Sequence, residues 1–135
     1  MKRLHLDANV VLRFLRDDDV KQSPAARRLV GEASEGEIVL ALSAVTVGEI
    51  FYALRAAYKL PRTEIVSLLD AVVHCGGFGV EHERRLLDAL SRVRTANVDF
   101  VDAWLAASAK EAGETLASFD QDFSKFADVD WCLPK

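Results

Sequence analysis

The sequence predicts an α/β fold: one three-layer α/β/α domain over residues 1–135, with helices on both faces of a central parallel sheet. Short apolar runs of strand length occupy residues 3–7, 38–42 and 115–119, and a last short strand is expected near residues 129–133. Longer segments with apolar residues at helical spacing lie between these runs. Because strands that alternate with helices pair in parallel and bury both faces, this order predicts the fold class. A length of 135 residues favours one domain over two.

Six helices are expected between the strands, and most have a recognisable start or end. Pro24 and Pro61 stand where a helix begins, since the missing N–H of proline costs nothing in the first turn. Gly36 and Gly113 follow helix ends, where glycine adopts the left-handed conformation easily. The expected helices span approximately residues 10–15, 24–35, 46–58, 61–75, 83–94 and 99–112.

The charge of the chain limits the classes of function. The net charge is -4 and the sequence pI is about 5.4. A protein that holds nucleic acid through charge alone is usually basic, so a passive nucleic-acid binder is disfavoured. An enzyme is disfavoured less, because bound cations can offset a cluster of carboxylates.

The cytoplasm is the expected location. No segment approaches the roughly 20 consecutive apolar residues of a membrane span, and the N-terminal residues 1–7 reach an acid after only two leucines, so no secretory signal is expected. Cys75 and Cys132 form no CxxC motif and are predicted to be reduced core residues. No zinc site is assigned, because no histidine lies at metal-ligand spacing from either cysteine. The histidines are His5, His74 and His82.

Four carboxylates are expected at the edge of the sheet where ligands collect in parallel α/β proteins. Asp7 and Asp120 each close a strand, and Glu49 and Asp102 each stand in the first turn of a predicted helix. Every one also has a structural interpretation. Asp102 fits a capping arrangement with Asp99, Glu49 fits a solvated position, and Asp120 fits a cap of the following turn. Asp7 is the hardest to explain without a function.

The convergence of four acids favours a metal site over four separate structural roles. Unpaired carboxylates held together repel and raise each other's pKa, so such a cluster needs compensating cations. Oxygen-only ligands suit Mg²⁺ or Mn²⁺. Sites of this kind hydrolyse phosphodiesters with a metal-activated water and need no side-chain nucleophile.

Four segments of the chain together resemble the motifs of PIN-domain nucleases. A strand ending in Asp, a small residue and Asn is followed by a helix start with Glu, an alanine-rich helix with Asp, and a final acidic turn. The segments are Leu6-Asp7-Ala8-Asn9, Thr46-Val47-Gly48-Glu49, Asp99-Phe100-Val101-Asp102-Ala103 and Ser118-Phe119-Asp120-Gln121-Asp122-Phe123. The resemblance runs from residue 4 to about residue 126. The stretch from Arg13 to Gln22 is similar to one branch of VapBC-type toxins.

The resemblance implies that Asp7, Glu49, Asp102 and Asp120 bind Mg²⁺ or Mn²⁺ and that the protein cuts RNA endonucleolytically. It further implies a homodimer and inhibition by a small antitoxin. The supporting residues it implies are Asn9, Ser118, Asp99 and Asp122. Two departures are minor: Ser118 stands where Thr is commoner, and Gly48 lies inside a helix start.

Arg13 follows Asn9 by one helical turn and is a candidate phosphate contact, although an ion pair with Asp17 at i+4 fits its position equally well. A second basic cluster, Arg55, Lys59 and Arg62, is a candidate RNA-contacting rim or a solvated face. The apolar residues expected to form core, or a groove for an antitoxin helix, are Leu29, Val30, Ile50, Phe51, Leu54 and Tyr58.

Three other functions compete with the nuclease. A catalytically silent binding module keeps the fold but does not explain the intact acids. A housekeeping RNA-processing nuclease keeps the chemistry without the toxin role. A phosphatase or phosphotransfer domain with Asp7 as nucleophile is disfavoured, since no Asp-x-Asp follows the first strand and the matching lysine is missing.

Overall fold

A computed structural model describes all 135 residues and divides them into two compact units, residues 1–82 and residues 83–135. Unit 1 contains β1 (Lys2–His5), α1 (Ala8–Leu15), α2 (Gln22–Ser34), β2 (Ile38–Leu42), α3 (Ala44–Ala56), α4 (Arg62–His74) and β3 (Gly79–Val80). Unit 2 contains α5 (Glu83–Ala96), α6 (Phe100–Ala112), β4 (Leu116–Ala117), a 3-10 helix (Gln121–Lys125) and β5 (Trp131–Cys132).

The sheet of unit 1 is parallel, with strand order β1-β2-β3. β1 pairs along β2 from Lys2 opposite Ile38 to His5 opposite Ala41. The ladder continues past β1, because the Leu6 N–H donates to the Ala41 carbonyl at 3.1 Å. The chain therefore leaves the sheet at Asp7. The largest fully buried side chains of the unit are Leu40, Leu42, Ile50, Leu54, Ile65, Leu69, Val11, Val47 and Val66.

Helix α2 begins two residues earlier than its proline indicates. One carboxylate oxygen of Asp19 accepts hydrogen bonds from the backbone N–H groups of Lys21, at 2.9 Å, and Gln22, at 2.7 Å. This turn leads the chain into the helix at Gln22 and leaves Pro24 inside the first turn, where its missing N–H is tolerated. The two N–H donors also hold the pKa of Asp19 below its usual value.

Unit 2 has a small parallel sheet in which Leu116 of β4 lies opposite Trp131 of β5. Helix α6 ends as expected at Gly113, which adopts a left-handed conformation with φ 68°. Helices α5 and α6 pack through a core that includes Leu86, Leu90, Val93, Ala103 and Ala106.

A buried arginine fastens the chain after the 3-10 helix to α5. Arg92 is only 7% exposed and donates from both terminal nitrogens to Asp128, at 2.8 and 2.7 Å. Its Nε donates to Asp88 at 3.2 Å, and its guanidinium lies 5.3 Å from the ring centre of Phe126. The hydrogen bonds from Arg92 lower the pKa of Asp128. We call Arg92, Asp88 and Asp128 the arginine clamp.

The predicted α/β class with parallel strands is confirmed, and the hydrogen-bonded strands form two sheets. Strand β3 was not predicted, because only two residues beside a glycine-rich turn carry no alternation. The prediction that Cys75 and Cys132 belong to the core is wrong: both are free and exposed. None of the helices combines the length and the apolar character needed to cross a membrane. A single domain over residues 1–135 stays a prediction.

Candidate active site

A cleft of about 560 Å³ in unit 2 contains two of the four predicted metal ligands, Asp102 and Asp120. Glu114 lines it as a third acid, and no lysine or arginine is among the lining residues. We call this the acidic cleft. The other residues that line it are Leu105, Ser108, Ala109, Thr115, Leu116, Ala117, Ser118 and Phe123.

Asp102 is the third residue of α6 and is partly buried. Its carboxylate has no hydrogen bond or ion pair. Burial, followed by the charges of Asp120, Asp99 and Asp122, raises its pKa above the usual value. Asp99 does occupy the N-cap of α6, but its side chain makes no capping hydrogen bond. The capping interpretation therefore does not account for Asp102, which is held at an energetic cost without a partner.

Asp120 follows β4 in a turn that several hydrogen bonds fix. Its backbone N–H donates to the Ser118 hydroxyl at 3.0 Å, and its Oδ1 accepts from the Asp122 N–H at 2.8 Å. The indole N–H of Trp131 donates to the Ser118 carbonyl at 3.0 Å. Asp120 thus caps the turn, as its structural interpretation expects, while its Oδ2 stays without a partner in the exposed cleft.

The sequence pattern did not indicate Glu114, which lines this cleft, or Trp131, which contacts the lining residue Ser118. Glu114 lies between Gly113 and β4, where no pattern marks an acid as functional. Trp131 anchors Ser118 from β5, and its role depends on a strand pair 15 residues apart in sequence, Leu116 with Trp131. No local sequence pattern indicates the position of Glu114 in the cleft or the contact of Trp131 with Ser118.

A second cleft, of about 360 Å³, lies in unit 1 and contains Asp7, Asn9 and Arg13. We call this the arginine cleft. Asp7 caps α1, with its Oδ1 accepting from the Ala8 N–H at 2.9 Å, and it makes no ion pair. Asn9 is exposed and its amide makes no hydrogen bond. The other residues that line the cleft are Val10, Gln22, Ala25, Ala26 and Leu29.

Arg13 does not pair with Asp17, so that structural interpretation is wrong. Its Nη1 donates to Asp18 at 3.0 Å and its Nε donates to Gln22 at 2.8 Å. Asp17 instead pairs with Arg27 at 2.8 Å. The helical i+4 geometry fails because α1 ends at Leu15, before Asp17.

Glu49 lies in the second turn of α3, not in the first as predicted. The helix begins at Ala44, because the Ser43 hydroxyl caps it by accepting from the Thr46 N–H at 3.3 Å. Glu49 is exposed and has no hydrogen bond or ion pair. Thr46 donates from its hydroxyl to the Leu6 carbonyl at 3.1 Å, which ties the start of α3 to the residue before Asp7.

The apolar set with two candidate uses is mostly core. Val30, Ile50, Phe51 and Leu54 are buried, whereas Leu29 is half-buried and lines the arginine cleft. Three of the buried residues belong to α3 and face inward. They therefore stabilise unit 1 and are not part of an open groove.

The acids fit a Mg²⁺ or Mn²⁺ site by the chemistry of their donors. In neither unit do three or more His, Cys, Asp or Glu side chains lie close enough to hold a metal ion by themselves. Mg²⁺ needs no such cage, because it keeps several waters and typically takes one or two carboxylates. The unpaired Asp102 beside Asp120 offers oxygen ligands and negative charge that no cationic side chain neutralises.

The chain matches the family model described as PIN domain over residues 4–129. This range holds all four predicted metal ligands and covers both compact units almost completely. No curated protein matches the chain.

Proposed function

The chain belongs to the PIN-domain family, whose members are generally nucleases, and on this premise we propose that it is a metal-dependent endoribonuclease. The observation that carries the proposal is the state of Asp102. Its carboxylate is partly buried and unpaired, and lies in a cleft with two further acids. A protein tolerates such a group where a bound cation or a reaction uses it.

Asp102 and Asp120 would hold Mg²⁺ or Mn²⁺ in the acidic cleft, and the resemblance adds Asp7 and Glu49 as further ligands. When bound, the metal supplies Lewis-acid stabilisation of phosphate charge and lowers the pKa of water. The Ser118 hydroxyl orients Asp120 through its backbone N–H, and Asp122 orients it through Oδ1. Asp99 and Asp122 add negative charge around Asp102, and Asn9 stands beside Asp7.

A cleavage assay tests this proposal directly. The purified protein should cut a panel of RNAs, including transfer and ribosomal RNA, with Mg²⁺ or Mn²⁺, and should stop when EDTA is added. Asp7→Asn, Glu49→Gln, Asp102→Asn and Asp120→Asn should each abolish or strongly reduce cleavage. Asp130→Asn is the matched control, because Asp130 is an exposed acid of unit 2 whose side chain has no partner. Survival of the whole panel at high enzyme and metal concentrations would remove the proposal.

The toxin role is the finer part of the proposal and rests on the resemblance of residues 13–22. We propose that this chain is the toxin of a toxin–antitoxin pair in the cytoplasm, that it forms a homodimer, and that a small antitoxin silences it. A net-acidic nuclease with a carboxylate-lined cleft suits an inhibitor that presents Arg or Lys.

Expression tests the toxin role separately from the chemistry. The wild-type chain alone should arrest growth, Asp102→Asn should not, and co-expression of the product of the neighbouring reading frame should restore growth. Harmless expression of soluble, RNA-cleaving wild-type protein would reject the toxin role and favour a housekeeping RNA-processing nuclease.

A further inference from the structure

We infer that Tyr58 and Asp18 are positioning residues that hold Arg13 in the arginine cleft, with its Nη2 amino group directed to a phosphate of the RNA. The inference rests on the proposed function for the identity of the substrate. Its geometry belongs entirely to unit 1, because all the groups involved lie within residues 1–82.

Three side chains hold the Nε and Nη1 groups of the Arg13 guanidinium. Gln22 accepts from Nε at 2.8 Å and Asp18 accepts from Nη1 at 3.0 Å. The Tyr58 oxygen accepts a longer hydrogen bond from Nη1 at 3.5 Å, and the same hydroxyl donates to the second oxygen of Asp18 at 2.7 Å. Arg16 lies 5.5 Å from the ring centre of Tyr58 and covers it. The three partners fix the plane of the guanidinium.

The Nη2 amino group of the guanidinium remains open. Arginine carries five N–H donors in a rigid fork, and the Nε and Nη1 atoms use theirs on Gln22, Asp18 and Tyr58. Nη2 makes no hydrogen bond within the protein, so its two N–H donors are available. A phosphate oxygen is the acceptor that this planar group binds best.

The surroundings of Arg13 favour a phosphate over a carboxylate of the protein. Asp7 lines the same cleft, yet no ion pair joins it to Arg13. The carboxylate that does hold Arg13, Asp18, is not among the residues that line the cleft. Asp7 thus remains available for a metal ion and the Nη2 group for an anion, which are the two groups that a metal-bound phosphodiester presents.

A neighbouring ion pair provides the control that separates positioning from stability. Asp17, in the same loop as Asp18, pairs with Arg27 of α2 at 2.8 Å, and neither Asp17 nor Arg27 lines the cleft. Tyr52 lies on α3, is 73% exposed and makes no hydrogen bond. Asp17→Asn and Tyr52→Phe therefore repeat the chemical changes of Asp18→Asn and Tyr58→Phe at places where the cleft is unaffected.

The test measures KM, kcat and the salt dependence of binding on a labelled single-stranded RNA that the wild type cleaves. Arg13→Ala should raise KM by about 10-fold or more and should reduce the slope of log affinity against log salt by about 0.7. Asp18→Asn and Tyr58→Phe should raise KM by about 3- to 10-fold with Mg²⁺ affinity unchanged by calorimetry. Asp17→Asn and Tyr52→Phe should stay within about twofold of wild type. Arg13→Lys keeps the charge without the fork and should not restore KM.

The outcomes separate the parts of the inference. Unchanged KM and salt slope in Arg13→Ala would overturn the phosphate contact. The positioning role would be overturned if Arg13→Ala raises KM while Asp18→Asn and Tyr58→Phe keep the KM of their controls. If Asp18→Asn or Tyr58→Phe unfolds, Gln22→Met takes its place as the test of positioning, because it removes the acceptor of the Arg13 Nε group. If the wild type cuts no RNA, the proposed function fails, and the salt slope of RNA binding still tests the Arg13 contact.

Discussion

Two regions of unit 2 treat carboxylates in opposite ways. In the arginine clamp, Asp128 receives two hydrogen bonds from the buried Arg92, and its pKa is lowered. In the acidic cleft, Asp102 has no cationic partner, and burial and neighbouring acids raise its pKa. Unit 2 therefore places an arginine beside the carboxylate of the arginine clamp, which stabilises the fold, and no arginine or lysine in the lining of the acidic cleft. The absence of a cationic side chain from the lining of the acidic cleft is therefore specific to that site, and it fits a cation that binds from solution.

The largest expected effect is on catalysis. Asp102→Asn should lower the rate of RNA cleavage by about 100-fold or more, because metal-assisted charge stabilisation is worth several kcal/mol and each 1.36 kcal/mol is tenfold in rate. Asp128→Asn should change the rate less than about twofold once the protein is folded. Equal losses of rate in both variants, measured at saturating Mg²⁺ and at a temperature where both are folded, would show that Asp102 has no special role in cleavage.

Metal should also stabilise the fold through the acidic cleft. With Mg²⁺ at about 100 times its Kd, the free energy of unfolding of the wild type should rise by about 2.7 kcal/mol. Thermal denaturation with and without Mg²⁺ measures this change. Asp102→Asn should show little of it, whereas Asp128→Asn should keep it even if its starting stability is lower. A metal response that survives in Asp102→Asn would place the ion elsewhere.

The arginine clamp should matter for stability in the absence of metal. Asp128→Ala should lower the free energy of unfolding by about 1–2 kcal/mol, because Arg92 is left buried without its bidentate partner; half of the Asp128 side chain is exposed, which limits the effect. The folded pKa of Asp128 lies below its unfolded pKa. The stabilisation that ionised Asp128 gives the folded protein is therefore present above the unfolded pKa, and it is lost as the pH falls through the folded pKa. Urea denaturation across this pH range, with Asp130→Ala as control, measures it.

The smallest expected effect has the opposite sign. The folded pKa of Asp102 lies above its unfolded pKa, so its ionised form destabilises the metal-free fold, and this penalty disappears as the pH falls below the unfolded pKa. Asp102→Asn should raise the free energy of unfolding at neutral pH by less than about 1 kcal/mol, since the group is only partly buried. Metal-free urea denaturation at pH 7 tests the sign. A clear loss of stability would restore the view that Asp102 is a structural cap.

Local signals predicted the parts of the site that local structure determines. Asp7 ends an apolar strand and Asp102 stands in the first turn of a helix, and both positions follow from the pattern around them. Glu49 lies in the second turn of α3 and not in the predicted first turn, because the cap at Ser43 starts the helix earlier than its apolar residues indicate.

Contacts between distant residues were beyond the sequence pattern. Arg92 falls on an amphipathic helix where an arginine is normally solvated, and its burial depends on Asp128, 36 residues later. Likewise, nothing near Arg13 indicates Tyr58, 45 residues away. Such pairs form only when the tertiary fold brings two segments together, so periodicity and capping rules do not find them.

The hydrogen bonds of Arg13 determine when its side chain loses conformational entropy. Their acceptors belong to Tyr58, Asp18 and Gln22. A free arginine side chain samples many rotamers, and ordering such a side chain at an interface costs about 0.5–1.5 kcal/mol. In this protein the side chain is already ordered before any ligand arrives, because three groups fix its guanidinium. The entropy loss therefore falls on folding, where it is spread over the stability of unit 1, and an anion that reaches Nη2 binds a group that has little freedom left to lose.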